Sequence, residues 1–188
     1  MPDIISEIIE QIDTTVSKIL EAIDKSITPI KMENFHQIDR CLFRGSTPNH
    51  EDLKLLAQKG IGTVINFKYL NKKELKEIQE YAKTLGINYI NIPMINPLIP
   101  YRNIDIEDIE LFLSIVRYNK KPVFICCSQG RDRTGMMAAI YRIIMHRWSF
   151  EKAFKEMQEK GHHSKLCFKL KNFLQKFAAT QVKNSVSI

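Results

Sequence analysis

The sequence predicts an α/β fold with a central, largely parallel sheet of about four to five strands flanked by helices. Two observations lead there. Along residues 30–178, short apolar or β-branched runs alternate with amphipathic segments, the pattern of parallel strands joined by helical crossovers. Within that alternation, Pro122–Cys126 reads as a buried strand. A chain of 188 residues with a hydrophobic fraction of 44% suits one domain with a sizeable core and an added segment.

The added segment comes first. Over residues 1–29, Ile5, Ile8, Ile9, Ile12, Val16, Ile19, Leu20, Ile23 and Ile27 recur at helical spacing, which predicts a long amphipathic helix ending near Pro29. Its apolar stripe has to be covered, by packing on the main domain or by self-association. Its acidic polar face disfavours attachment to a membrane. In the domain proper, Cys41–Arg44 reads as a short strand, Asn49–Lys59 as a helix ended by Gly60, and Gly62–Phe67 as a β-branched strand. Lys72–Leu85 is a helix closed by Gly86, Asn88–Ile92 a strand, and Asp105–Arg117 a further helix. After the buried strand come a helix over Thr134–His146, one capped by Ser149 and ended by Gly161, and a last one over Leu166–Phe177. Residues 179–188 are expected to be a flexible tail.

Charge is unevenly distributed. Residues 1–27 hold six acidic and two basic side chains, a net of −4, which leaves +11 on the remainder of a chain whose formal charge is +7. A basic body favours an anionic partner: a phosphorylated molecule, a nucleic acid or an anionic lipid surface. No apolar run approaches the roughly 18 residues of a membrane span, and the charged first segment is unlike a secretory signal. The cysteines, Cys41, Cys126, Cys127 and Cys167, follow neither a disulfide framework nor a zinc spacing. A reducing, cytoplasmic location is expected, with export by a route lacking a cleavable signal left open, and no metal or other cofactor.

The informative stretch is Val123-Phe124-Ile125-Cys126-Cys127-Ser128-Gln129-Gly130-Arg131-Asp132-Arg133-Thr134-Gly135. It passes from the buried strand through a short polar loop into a helix. A loop at a helix N-terminus turns backbone N–H groups inward and forms a concavity for a phosphate-sized anion. Gly130 permits a backbone conformation other residues resist. The Arg133 guanidinium can grip two phosphate oxygens at once. Cys127, beside that cradle and an Arg, is favoured as a thiolate nucleophile. Residues Ser128, Gln129, Gly130, Arg131, Asp132 and Arg133 then line a substrate phosphate, and the Thr134 hydroxyl can hydrogen-bond the sulfur as it leaves.

Cys127 to Gly135 resembles the Cys-x5-Arg-Ser/Thr-Gly signature of the protein tyrosine and dual-specificity phosphatases. The ending Arg131-Asp132-Arg133-Thr134-Gly135 is most similar to small bacterial members. Leu42-Phe43-Arg44-Gly45-Ser46-Thr47-Pro48 resembles their early Tyr-Arg-Ser-x-x-Pro turn, and Gly60-Ile61-Gly62-Thr63-Val64-Ile65-Asn66 their following strand. Ile92-Pro93-Met94, Tyr141-Arg142-Ile143 and Trp148-Ser149 also fit, so the resemblance covers roughly 35–178. It implies the cysteine-phosphatase fold and metal-free hydrolysis of phosphomonoesters through a phosphocysteine. The implied substrates are phosphotyrosine or phosphoserine/threonine proteins, with phosphoinositides or inositol phosphates as the alternative; no nucleic acid partner is implied.

Two positions depart from the family pattern. Where the family has a His that orders the loop, this chain has Cys126, read as a small buried strand residue or as a redox partner. Many members take their general acid from the loop after the preceding strand. Here residues 93–102 hold no carboxylate, and Asn96 stands near the expected place. The candidate acids are Asp132, then Asp105, then Asp108. Asp132 resembles the loop Asp of lipid-directed phosphatases such as the myotubularins; a structural acceptor is its other reading. Asp105 and Asp108 suit a helix N-terminus in any case. His162 and His163 read as a surface pair, and Lys68, Arg102 and Arg131 as bases that could widen the anion site. Two further classes remain: a rhodanese-type sulfurtransferase, opposed by the Arg133-Thr134-Gly135 ending, and a phosphate-binding module without catalysis.

Overall fold

The computed structural model describes residues 2–26, 29–95, 105–162 and 168–186. The chain divides into two compact units, residues 1–30 and 31–188. The first is the helix α1, Pro2–Ser26. Along it Ile5, Ile8, Ile9, Ile12 and Val16 are exposed.

The second unit is built on five strands: β1 (His36–Gln37), β2 (Leu42–Ser46), β3 (Thr63–Lys68), β4 (Asn88–Ile95) and β5 (Val123–Cys127). Their order is β1-β2-β5-β3-β4, with β1 antiparallel and the rest parallel. The helices are α2 (His50–Gln58), α3 (Lys72–Thr84), α4 (Ile106–Tyr118), α5 (Arg133–His146), α6 (Phe150–Glu159) and α7 (Phe168–Val186). Local chemistry explains the starts. Asn49 with Asp52 and Asn71 with Glu74 form reciprocal capping boxes, and Ser149 accepts from the Lys152 N–H.

β5 lies at the centre and is buried along its whole length. Alternation sends Val123, Ile125 and Cys127 to one face, where they join Ile65, Phe67, Phe112, Met136 and Leu174 in the main core. Phe124 and Cys126 turn to the other face, where Phe35 stacks between Phe43 and Phe124. α5 is buried on nearly all sides over Thr134–Tyr141, as a central helix must be. Its N-terminus therefore has a fixed place at the C-terminal end of β5.

The structure differs from the sequence expectation at three elements. β1 is only two residues long, too short for periodicity to show. β4 runs past Pro93 to Ile95; it is an edge strand, where a missing N–H is tolerated. The predicted helix end at Phe177 gives way to an α7 that continues to Val186, since Ala178 and Ala179 favour helix and no Gly or Pro follows. Among the described residues, no helix is long and apolar enough to cross a membrane.

One polar network fixes α5 against the sheet. Asp39, in the turn before β2, accepts from the Cys41 and Leu42 amides at 2.7 and 3.0 Å and from Tyr141 Oη at 2.8 Å. Its other contact is His146 Nε2 at 2.9 Å. Arg142 Nη1 lies 2.9 Å from His146 Nδ1; Arg can only donate, so Nε2 carries the proton given to Asp39. Arg142 also pairs with Glu156 of α6 at 2.9 Å. Burial pushes the Asp39 carboxyl up, but the bonds from the Cys41 amide, Tyr141 and His146 together hold it below its ordinary value. A lowered carboxyl contributes fully above its unfolded pKa, about 3.9, and loses that contribution as pH falls through the folded value. Asp39→Asn is expected to lower stability at neutral pH by about 2 kcal/mol. Urea unfolding should show that difference shrinking below about pH 4.

Candidate active site

The loop between β5 and α5 is shaped by one close approach. Gly130 has φ +68°, and a Cβ on it would lie 2.4 Å from Gly45 C and 2.5 Å from Gly45 O. The close approach leaves no room for a Cβ unless the backbone moves, and the left-handed conformation adds strain for any other residue. The approach is possible because β2 and β5 are neighbours with Ser46 paired to Cys127. The Gly130 N–H donates back to Cys127 O at 3.3 Å, so the chain curls around the last residue of the strand. Cys127 sits inside that curl, 3% exposed, while Ser128 and Gln129 are exposed.

Beneath the loop lies Arg44, 1% exposed. Its Nη2 donates to Gly130 O at 2.7 Å, and its Nε and Nη1 have no partner among the described residues. Burial brings its pKa down to about 10, against attraction to Glu156 and Cys127. It therefore remains a cation at neutral pH.

Arg133 occupies the rim. Its Nη1 donates to Phe67 O at the end of β3, 3.3 Å away, and its Nη2 to Ser128 Oγ at 3.1 Å. Both acceptors are neutral, so anionic phosphate oxygens could replace them with a gain in attraction. The N-terminus of the 14-residue α5 opens on the same space, adding the positive end of its dipole. Thr134 Oγ1 is buried with no hydrogen-bond partner among the described residues, the Cys127 sulfur included.

Other predicted residues are distributed as follows. Arg131 pairs with Glu33, and its side chain passes against Gly161. The segment around Glu33 lines the loop, with Asn34 Nδ2 donating to Gln129 O at 2.9 Å and Ser46 N to Glu33 O at 2.9 Å. Asp132 holds the N-cap position of α5 without a side-chain capping bond. Its Oδ1 lies instead 2.6 Å from His162 Nδ1. His162 is thus a buried residue at 8% exposure, not half of a surface pair, because the turn after α6 folds it back onto the loop; His163 lies outside the described residues. Lys68 is at the end of β3, its N–H bonded to Asn66 Oδ1 at 2.8 Å and its carbonyl to Asn91 Nδ2 at 2.7 Å. Asp105 is the exposed N-cap of α4 and makes no capping bond, and Asp108 lies in its first turn. Asn96 and Arg102 lie outside the described residues. Cys126 is fully buried, and burial first and Cys127 second push its thiol well up, against Arg133. It is a neutral strand residue on the face opposite Cys127.

Sequence reasoning did not give Arg44, Glu33 or His162 a part in the site. Arg44 had a usable signal, a cation inside the apolar run Leu42-Phe43-Arg44, since buried Arg is rare without a paired use.

Residues 20–176 match the family described as "DSP-PTPase phosphatase fused to NAD+ Kinase". The chain belongs to that family. It is 29% identical over 146 residues to the dual specificity protein phosphatase TpbA of Pseudomonas aeruginosa, covering 75% of this chain but 58% of that relative's length. It is also 29% identical over 127 residues to inositol diphosphatase DSP4 of Arabidopsis thaliana, covering 66% of this chain and 62% of that one. The core catalytic domain of the PP-IP phosphatase SIW14 from S. cerevisiae shares the fold, with a TM-score of 0.65 at 22% identity, over 86% of this chain and 94% of that one.

The contact at Gly130 gives a direct test. Gly130→Ala should cost about 1–3 kcal/mol from the left-handed backbone alone, with the clash against Gly45 added. Denaturant unfolding measures the loss. Orthophosphate binding to the folded variant should be abolished because the loop can no longer close on β2.

Proposed function

We propose that this chain is a cysteine-dependent phosphatase that hydrolyses phosphomonoesters of protein side chains, tyrosine and serine/threonine, through a phosphocysteine. One observation carries the reading. Cys127 lies inside a loop that ends at the N-terminus of α5, with Arg133 held at the rim by two neutral acceptors. The anion cradle and the nucleophile thus share one place.

The chemistry follows from that overlap. The Cys127 thiolate attacks phosphorus, an S–P bond forms, and the ester P–O bond breaks in line with it. The departing oxygen takes a proton from a general acid, or leaves as an anion when it is a good leaving group. Water then attacks phosphorus, the S–P bond breaks, and orthophosphate and the thiolate are released as the water's proton passes to a base. Arg133 and the loop amides stabilise the charge that spreads over the equatorial oxygens. Thr134 Oγ1, buried without a partner among the described residues, is the hydroxyl that would close on the sulfur and donate to it as it leaves.

A second reading takes inositol phosphates as substrates. The net charge of +11 outside the first segment supports it, as do the names of DSP4 and SIW14 among the similar proteins. Cys127→Ser decides mechanism and substrate together. It should show no turnover on phosphopeptides, phosphoinositides or inositol phosphates, yet bind the true substrate class as the wild type does. Retained hydrolysis would sink the covalent mechanism, and turnover by the wild type confined to inositol phosphates would sink the protein-substrate reading.

The proton donor has three candidates, Asp132, Asp105 and Asp108. Asp132 Oδ1 lies 2.6 Å from His162 Nδ1, so as the acid Asp132 would hold its proton within reach of that ring. Asp132→Asn separates the roles. As the acid, Asp132 predicts a rate loss confined to alkyl phosphates with poor leaving groups; as a structural acceptor, it predicts equal loss on aryl and alkyl phosphates.

A further inference from the structure

We propose that Arg44 is a positioning residue for the substrate phosphate: from beneath the loop it supplies a buried positive charge to the anion and keeps the Gly130 carbonyl turned away from it. The inference rests on the reading of the loop as a phosphate site and adds a residue to it.

Packing alone does not account for an arginine at this place. Arg44 is 1% exposed, in β2 beside the buried Leu42 and Phe43. Its Nε and Nη1 are buried without a partner among the described residues, and taking a guanidinium out of water is costly unless an interaction offsets it. A methionine or leucine would fill the strand position without that cost. Glu156 attracts the guanidinium, yet its carboxylate is already paired with Arg142 at 2.9 Å. The second attracting group is Cys127, at the centre of the loop.

The cation also stands where the fold by itself gains nothing from one. Nη2 lies against the first turn of α5, so that a Cβ on Gly135 would meet it at 3.4 Å. A helix N-terminus is positive, and a cation there opposes the dipole. Arg133 begins the same helix, with neutral acceptors at Phe67 O and Ser128 Oγ. Two guanidinium groups and a helix N-terminus thus border one loop, and all three attract a phosphate bound in it.

The hydrogen bond gives Arg44 its second part. Gly130 O accepts from Nη2 at 2.7 Å. A carbonyl oxygen turned into the concavity would repel an anion. Glycine resists a turn of its peptide less than other residues do, so the direction of this carbonyl has to be set by a partner. Arg44 sets it from the buried side, out of contact with substrate.

Orthophosphate affinity of the full-length reduced chain, measured by isothermal titration, tests the idea without depending on turnover. Arg44→Met keeps an unbranched side chain and removes the charge and the donors. It should weaken orthophosphate about tenfold or more. Arg44→Lys retains the charge and a donor and should recover binding to within about threefold of the wild type. Urea unfolding without orthophosphate reads any structural contribution separately. A merely structural Arg44 predicts lower stability in Arg44→Met with unchanged orthophosphate affinity of the folded chain, which would overturn the proposal. Equal weakening in Arg44→Met and Arg44→Lys would overturn it as well, because charge would then not be what the site uses. Should Arg44→Met fail to fold, the neutral but polar Arg44→Gln serves the same comparison. A wild type that binds no orthophosphate would overturn both the phosphate-site reading and this one, whereas a wild type that binds it alongside an indifferent Arg44→Met would overturn this one alone.

Discussion

The contact between the backbones of Gly130 and Gly45 governs the rest of the site. β2 and β5 are adjacent parallel strands, so the chain leaving β5 must pass over the end of β2 before it can enter α5. With no Cβ on Gly130, the two main chains come close enough for the loop to curl over Cys127. That curl brings Gly130 O within 2.7 Å of Arg44 Nη2, places a cation beneath the loop, and aims α5 into the space above Cys127. The fully buried surroundings of α5 then hold the aim. A side chain at residue 130 would move all of these together, because packed interiors do not deform continuously.

Charge is distributed around the loop with the same economy. Arg131 is tied to Glu33, and Asp132 to His162, each partner coming from a different segment. Arg44 is buried beneath and remains a cation at neutral pH. Arg133 differs from Arg131, which pairs with a carboxylate, in having two neutral acceptors at 3.3 and 3.1 Å. A phosphate oxygen would be a stronger acceptor for it than either of these.

Cys126 is a buried thiol, pushed well up by burial, on the face of the sheet opposite Cys127. In this chain the loop is ordered from below by Arg44 and from the side by Glu33, Asn34 and His162. These contacts come from β2, the segment before β1 and the turn after α6, so the loop is supported by the tertiary fold more than by its own neighbours.

The sequence by itself determined what depends on nearby residues. Alternating runs marked the strands and helices, Asn49, Asn71 and Ser149 marked helix starts, and the spacing from Cys127 through Gly130 to Arg133 marked the loop, since dihedral preference and capping act over a few residues. It missed the continuation of β4 past Pro93, which depends on β4 being an edge, and it read His162 as exposed. Only the tertiary structure decided which side chains support the loop. Arg44 reaches Gly130 across 86 residues, Arg131 reaches Glu33 across 98, and His162 reaches Asp132 across 30. Those partners have no common spacing, because they meet only after β2 pairs beside β5 and α6 turns back over α5, and the burial that makes each bond count exists only in that assembled state.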